Sequence, residues 1–234
     1  MLHSRAVKDV FEQRKEEIDN FFGLLYKIDK LGALLGTPDG VTERVSIQTY
    51  TSLKSSSILL LYNLVEAVVS IALEVIHDQI CANLLPYTEL NEELKELLLA
   101  YHIKAIDHKR SDYTSTVRHV KELIALSINS RKFELRYRDM TKFHALYSGN
   151  LDAKVIRKIL SQYGANLEDF SSELKTIKDK RNSLAHGEES FEECGRSMSY
   201  EQLLALKDRS YRFIEGMMET VEDYLANSRF KATS

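Results

Sequence analysis

The 234 residues (26.9 kDa) are 44% hydrophobic and 29% charged, with nine glycines and two prolines; this composition describes an ordered globular chain and excludes a disordered one. A formal net charge of −3 and an isoelectric point near 6.2 exclude a polycation, so any contact with nucleic acid must come from local basic patches. The two cysteines, Cys81 and Cys194, have neither paired nor metal-ligand spacing, and the first residues lack the apolar core of a signal peptide, so a reduced, cytoplasmic protein is expected.

Period-two alternation is scarce and apolar residues recur every three or four positions, which predicts an all-α fold. The first helix is expected over about 5–35, with Val7, Val10, Phe11, Ile18, Phe21, Phe22, Leu25, Ile28 and Leu31 on its apolar stripe. Gly36-Thr37-Pro38-Asp39-Gly40 breaks the pattern. The polar segment 41–57 has no clear period and reads as a short strand pair or an extended arm.

A second helix, from about Ser56 to Leu84, is apolar almost all round and belongs at the centre of a bundle. Its greasiest run, Ile58 to Ile76, contains Asn63, Glu66, Ser70 and Glu74; that argues for a buried helix and against a membrane span. Tyr62, Asn63 and Glu66 fall within one turn of this helix. They form either a satisfied core network, the commoner arrangement, or supporting groups that orient an active site.

Pro86 closes the second helix, and 88–107 reads as a third, amphipathic one. The segment 108–147 is a basic insert: between Lys109 and Lys142 it carries nine cations, Lys132, Arg136 and Arg138 among them, against four acids. Phe133, Tyr137 and Phe143 are interleaved. Phosphate contacts with base stacking would use such a mixture, and a solvated charged face would have the same composition. Ser148 to Asp152 supplies cap residues for a helix reaching Tyr163 and ended by Gly164. Ser171 or Ser172 caps the next helix, which stops at Gly187. An acidic loop over 188–193 is expected to face solvent. Ser199-Tyr200-Glu201-Gln202 is a capping-box pattern opening the last helix, and the tail after Asn227 is expected to fray. With no repeat and no linker, the chain reads as one domain, 1–234, with a core at about 55–107 and 148–227.

The chemistry concentrates in Lys178-Asp179-Lys180-Arg181-Asn182-Ser183-Leu184-Ala185-His186-Gly187. At about 100° per residue, Asn182 and His186 share a helix face, and Arg181 points about 140° away from His186. Histidine can take or give a proton near neutrality, arginine grips phosphate oxygens with a planar fork, and the amide of Asn182 can bond either. These types suit RNA cleavage by the RNA's own 2′-hydroxyl, which requires no metal and no cofactor. One His per chain for a reaction needing a base and an acid points to a two-fold dimer. Lys180, Lys132, Arg136 and Arg138 are candidate RNA contacts. A histidine closing a helix beside glycine also occurs as a simple cap.

Arg181-Asn182-Ser183-Leu184-Ala185-His186 resembles the Arg-x(4–6)-His signature of the HEPN superfamily. Tyr62-Asn63-Leu64-Val65-Glu66, Ser148-Gly149-Asn150-Leu151-Asp152 and Arg181 through Phe191 resemble one prokaryotic HEPN-like nuclease family, a likeness covering most of the chain from about Ser55. The resemblance implies an up-down four-helix core with additional helices and a homodimer whose two motifs form one composite cleft. It further implies metal-independent endoribonuclease activity in toxin–antitoxin or anti-phage systems, with an antitoxin or defence-system protein as a partner. Carried across, Arg181 and His186 are the catalytic pair and Asn182 their support. HEPN toxins silenced by tyrosine modification carry His-x-Tyr, whereas position 188 here is Glu. The alternative is a non-catalytic HEPN module that binds RNA, a nucleotide or a partner protein.

Overall fold

A computed structural model describes residues 2–36, 38–108, 112–128, 132–168 and 171–232. The elements are α1 (Leu2–Leu31), β1 (Leu34–Gly36), β2 (Thr42–Arg44), α2 (Ile47–Ala82), a 3-10 turn (Tyr87–Glu89), α3 (Glu92–His108), α4 (Tyr113–Ile128), α5 (Tyr137–Thr141), α6 (Ala153–Ser161), α7 (Glu173–His186), α8 (Phe191–Arg196) and α9 (Tyr200–Ala226). The fold is all-α apart from one short antiparallel hairpin, β1–β2. Helices α1, α2, α7 and α9 pack on one another as a four-helix core, so the first helix belongs to the core although the expected boundary lay at about residue 55.

Helix α2 is the axis of the molecule. By length and hydropathy it would also cross a bilayer, but in this fold Ile58, Leu61, Leu64, Val68 and Ile76 are buried against other helices. It starts at Ile47, nine residues before the expected position. Its first turns are rich in Ser and Thr, which hide the apolar period. Ser46 caps it by accepting from the Thr49 amide at 3.0 Å, and the hydroxyls of Thr51, Ser55 and Ser56 bond back to carbonyls four residues earlier. The small side chains let α8 approach closely. A Cβ added at Gly195 would lie 1.9 Å from the Thr51 carbonyl oxygen. Lys54 donates to the Met198 carbonyl at 2.6 Å, and Ser55 to that of Phe191 at 2.5 Å.

Three other expectations change. The acidic stretch 188–193 is not a free loop: Ser190 and Glu193 form a capping box that opens α8, which buries Cys194 and Gly195. The tail after Asn227 is pinned. Phe230 is buried beside Tyr224, the Asn91 amide donates to the Phe230 carbonyl at 3.0 Å, and the Ala232 amide donates to that of Glu89 at 2.8 Å. In the basic insert, Phe133 and Tyr137 are core residues, 1% and 7% exposed, and cannot offer faces for base stacking. Lys109, Arg110 and Arg131 lie outside the described residues.

Below Phe133 and Tyr137 lies His77, wholly buried on α2 with both ring nitrogens in use. Nδ1 meets the Leu135 carbonyl at 2.7 Å and Nε2 the Tyr163 hydroxyl at 2.8 Å. Burial lowers its pKa to about 4, against the opposing pull of the Leu135 carbonyl.

Two outcomes follow from this architecture. Gly195→Ala should destabilise the protein by about 3 kcal/mol, since the clash is with backbone, and a denaturation midpoint within about 1 kcal/mol of wild type would contradict the close α2–α8 contact. For His77, the unfolded chain binds a proton near pH 6.5 and the folded one only near pH 4. Its contribution to stability is therefore full above pH 6.5 and lost as pH falls from there to 4, on the order of 3 kcal/mol. His77→Gln should flatten this acid limb in urea titrations; an unaltered limb would mean that His77 does not carry it.

Candidate active site

Helix α7 is built to present its last turn. Leu174, Ile177 and Leu184 face the core. At its start the hydroxyls of Ser171 and Ser172 donate to Glu173 at 3.0 and 3.3 Å instead of capping the backbone. At its end Gly187 turns left-handed (φ 69°). Its amide donates to the Leu184 carbonyl at 3.4 Å, and the Glu188 amide to that of Ser183 at 2.9 Å. This is the Schellman closure, for which glycine is favoured because a Cβ is strained at positive φ. His186 is thereby fixed as the final helical residue, exposed, and among the described residues it has no hydrogen-bond or ion-pair partner.

One turn back, Arg181 is held by two groups. Its guanidinium lies over the ring of Tyr62, 4.7 Å from the centroid, a cation–π contact with an aromatic that is 1% exposed. Arg181 Nη1 donates to Asn182 Oδ1 at 3.0 Å, and Asn182 Nδ2 donates to Asn150 Oδ1 at 2.7 Å. Tyr62 in turn donates to the Gly149 carbonyl and accepts from the Leu151 amide at 3.3 Å. Burial raises the phenol's pKa, so it remains a donor at neutral pH. The loop 149–151 thus ties α2 to α7. Asp152, the N-cap of α6, closes the frame through a 2.9 Å ion pair with Lys178. Although burial pushes the Asp152 carboxyl up, bonds from Lys178 and the Val155 amide hold it below the usual range.

The charges on α7 divide sharply. Lys175 and Lys178 have carboxylate partners, and Lys180 meets Glu189 at 3.1 Å and the Ser197 hydroxyl at 3.1 Å. Among the described residues Arg181 has none. Of the other candidates, Asn63 is exposed and Glu66 half-buried, so the expected buried network at Tyr62, Asn63 and Glu66 reduces to Tyr62. Arg136 pairs with Asp78 and Arg138 with Glu74 at 3.2 Å, both on α2, about 24 and 18 Å of helix rise from Tyr62. Lys132 is exposed, opposite Pro86 in an isolated β-bridge. Arg136 and Arg138 are therefore not gathered at the motif.

Residues 4–230 match the HEPN_MAE_28990-like HEPN family model. The chain belongs to the HEPN superfamily. No curated protein and no solved structure matches it.

In this HEPN chain the contiguous motif Arg181–His186 was visible because it is local. Asn150, the acceptor for Asn182, was not singled out. It lies 32 positions away in a loop that supplies helix caps and part of the family resemblance, and no periodicity links it to α7. Asn182, whose amide could bond the imidazole or a phosphate oxygen, here bonds Arg181 and Asn150.

Tyr62→Phe keeps the ring beneath Arg181 but leaves the Leu151 amide and the Gly149 carbonyl without their partner. A loss of about 1–3 kcal/mol in chemical denaturation is expected, and a change below about 0.5 kcal/mol would show that this phenol does not tie the loop to α2.

Proposed function

We propose that this protein is a metal-independent endoribonuclease of HEPN type, acting as a toxin or anti-phage effector in the cytoplasm. HEPN domains are commonly ribonucleases, but what carries the reading here is the pairing on one helix end of an arginine with no carboxylate partner and an exposed histidine with no hydrogen-bond or ion-pair partner among the described residues. A cation left unneutralised while its three lysine neighbours are paired is a site for an anion. Next to it stands the one side-chain type that exchanges protons near neutral pH.

In this mechanism Arg181 engages the scissile phosphate, held in place by the face of Tyr62 and by Asn182. A base takes the proton of the 2′-hydroxyl, and the oxygen attacks the adjacent phosphorus. Arg181 stabilises the added negative charge. The bond to the 5′ oxygen breaks, an acid protonates that oxygen, and the products carry a 2′,3′-cyclic phosphate and a 5′-hydroxyl. One imidazole per chain supplies one of the two proton-transfer roles. A homodimer with both α7 ends facing a shared cleft supplies His186 twice, as base and acid, and Arg181 twice. An antitoxin or defence-system protein would then act by covering or separating that cleft. Control by tyrosine modification lacks its acceptor, since position 188 is Glu.

A binding-only HEPN module is the competing reading, and one observation favours it: the Arg181 guanidinium is turned onto Tyr62 and Asn182. His186→Ala separates the two. RNA cleavage in excess chelator should fall by on the order of 100-fold or more while RNA binding, read by filter retention or anisotropy, stays within a few-fold. A folded wild-type dimer that binds RNA and does not cut it, or a His186→Ala variant that cuts at the wild-type rate, would favour the binding module.

A further inference from the structure

Away from α7, two histidines and a glutamate meet where α4 crosses α3. His102 of α3 and His119 of α4 are 5% and 3% exposed, and their Nδ1 atoms stand 3.4 Å apart. The Glu122 carboxylate, one turn along α4 from His119, is 3.6 Å from His119 Nδ1 and 4.0 Å from His102 Nδ1. This triangle is loose for hydrogen bonding, where N–H···N or N–H···O contacts close to about 2.9–3.0 Å. It is near the edge length of a tetrahedron around zinc. Metal–ligand bonds of about 2.0–2.1 Å place tetrahedral ligand atoms about 3.3–3.4 Å apart.

The contrast with His77 is informative. A structural histidine in this same core has both nitrogens bonded at 2.7 and 2.8 Å, whereas His119 Nδ1 meets His102 Nδ1 and the Glu122 carboxylate only at 3.4 and 3.6 Å. Two neutral imidazoles and one carboxylate are a borderline-soft donor set suited to zinc, and the three groups are the ones that satisfy metal-ligand spacing among the described residues. A cleft of about 220 Å³ reaches Glu122 and His102, with Tyr101, Lys132 and Phe133 in its wall. It has room for a water molecule as the fourth ligand.

We propose that His102, His119 and Glu122 form a site for a divalent transition-metal ion of zinc type that fastens α4 to α3. The ion stabilises the insert and takes no part in RNA cleavage, so this proposal stands independently of the nuclease reading.

The test is titration of the full chain, stripped with chelator and desalted, with zinc alone by calorimetry and with cobalt(II) by visible absorption. One equivalent bound at sub-micromolar affinity, with the intense bands of tetrahedral cobalt and a higher melting temperature, is expected. Glu122→Gln should weaken binding by at least the roughly 10- to 100-fold that losing an outer-shell partner costs, and His119→Ala by more. Because Glu122 is only half-buried, its variant should keep the wild-type circular dichroism and remains decisive even if His119→Ala does not fold. No stoichiometric zinc binding by the folded wild type, or an affinity unchanged in folded Glu122→Gln, would overturn the site.

Discussion

The molecule depends on holding an unneutralised guanidinium at a fixed place. Arg181 cannot be anchored by a carboxylate without losing its attraction for anions, so it is anchored by neutral groups instead. The face of buried Tyr62 and the amide of Asn182 restrain it without cancelling its charge. Both need a rigid base. Helix α2 supplies the tyrosine from the most enclosed part of the core, and the loop 149–151 returns to bond both Tyr62 and Asn182. The carboxylates that are present are used one step away, where Asp152 and Glu189 restrain Lys178 and Lys180.

The histidines show how environment divides roles. His77, enclosed and bonded at both nitrogens, is held neutral and works as a core linker between α2, Leu135 and Tyr163. His186 is at the opposite extreme, exposed at the end of α7 with its backbone locked by Gly187. His102 and His119 are buried and close together, with a carboxylate alongside, the arrangement proposed above as a metal site. These imidazoles differ less in sequence context than in what surrounds them.

What was readable in advance was local. The capping box before α9 and the glycine closing α7 depend on residues within a turn or two, and each is where the pattern placed it. Of the α1 stripe, Val7, Phe11, Ile18, Phe22 and Leu25 are buried, whereas Val10, Phe21 and Ile28 are half-buried and Leu31, at the helix end, is exposed. The start of α2 was hidden because its Ser/Thr-rich turns replace apolar periodicity with back-bonded hydroxyls and small side chains that fit against α8. Helix α8 was missed because six residues do not complete two turns, and its acidic surface resembles a loop. The pinned tail depends on Phe230 finding a slot beside Tyr224 and Asn91, a contact set by tertiary structure alone. At the candidate site, the Arg–Asn–His motif is contiguous and legible in the sequence, and Tyr62 was among the candidate supporting groups, while Asn150 meets Asn182 only on folding.

The central claim is that the α7 end directs attack by the RNA's own 2′-hydroxyl. It is tested most directly by mapping a cleaved site in an RNA, then repeating the reaction with a single 2′-deoxy substitution at the nucleotide 5′ to the break. The mechanism predicts 2′,3′-cyclic phosphate and 5′-hydroxyl ends in the all-ribose RNA and loss of cleavage at the substituted position alone. Cleavage there at the original rate, or ends bearing a 5′-phosphate and 3′-hydroxyl, would contradict it.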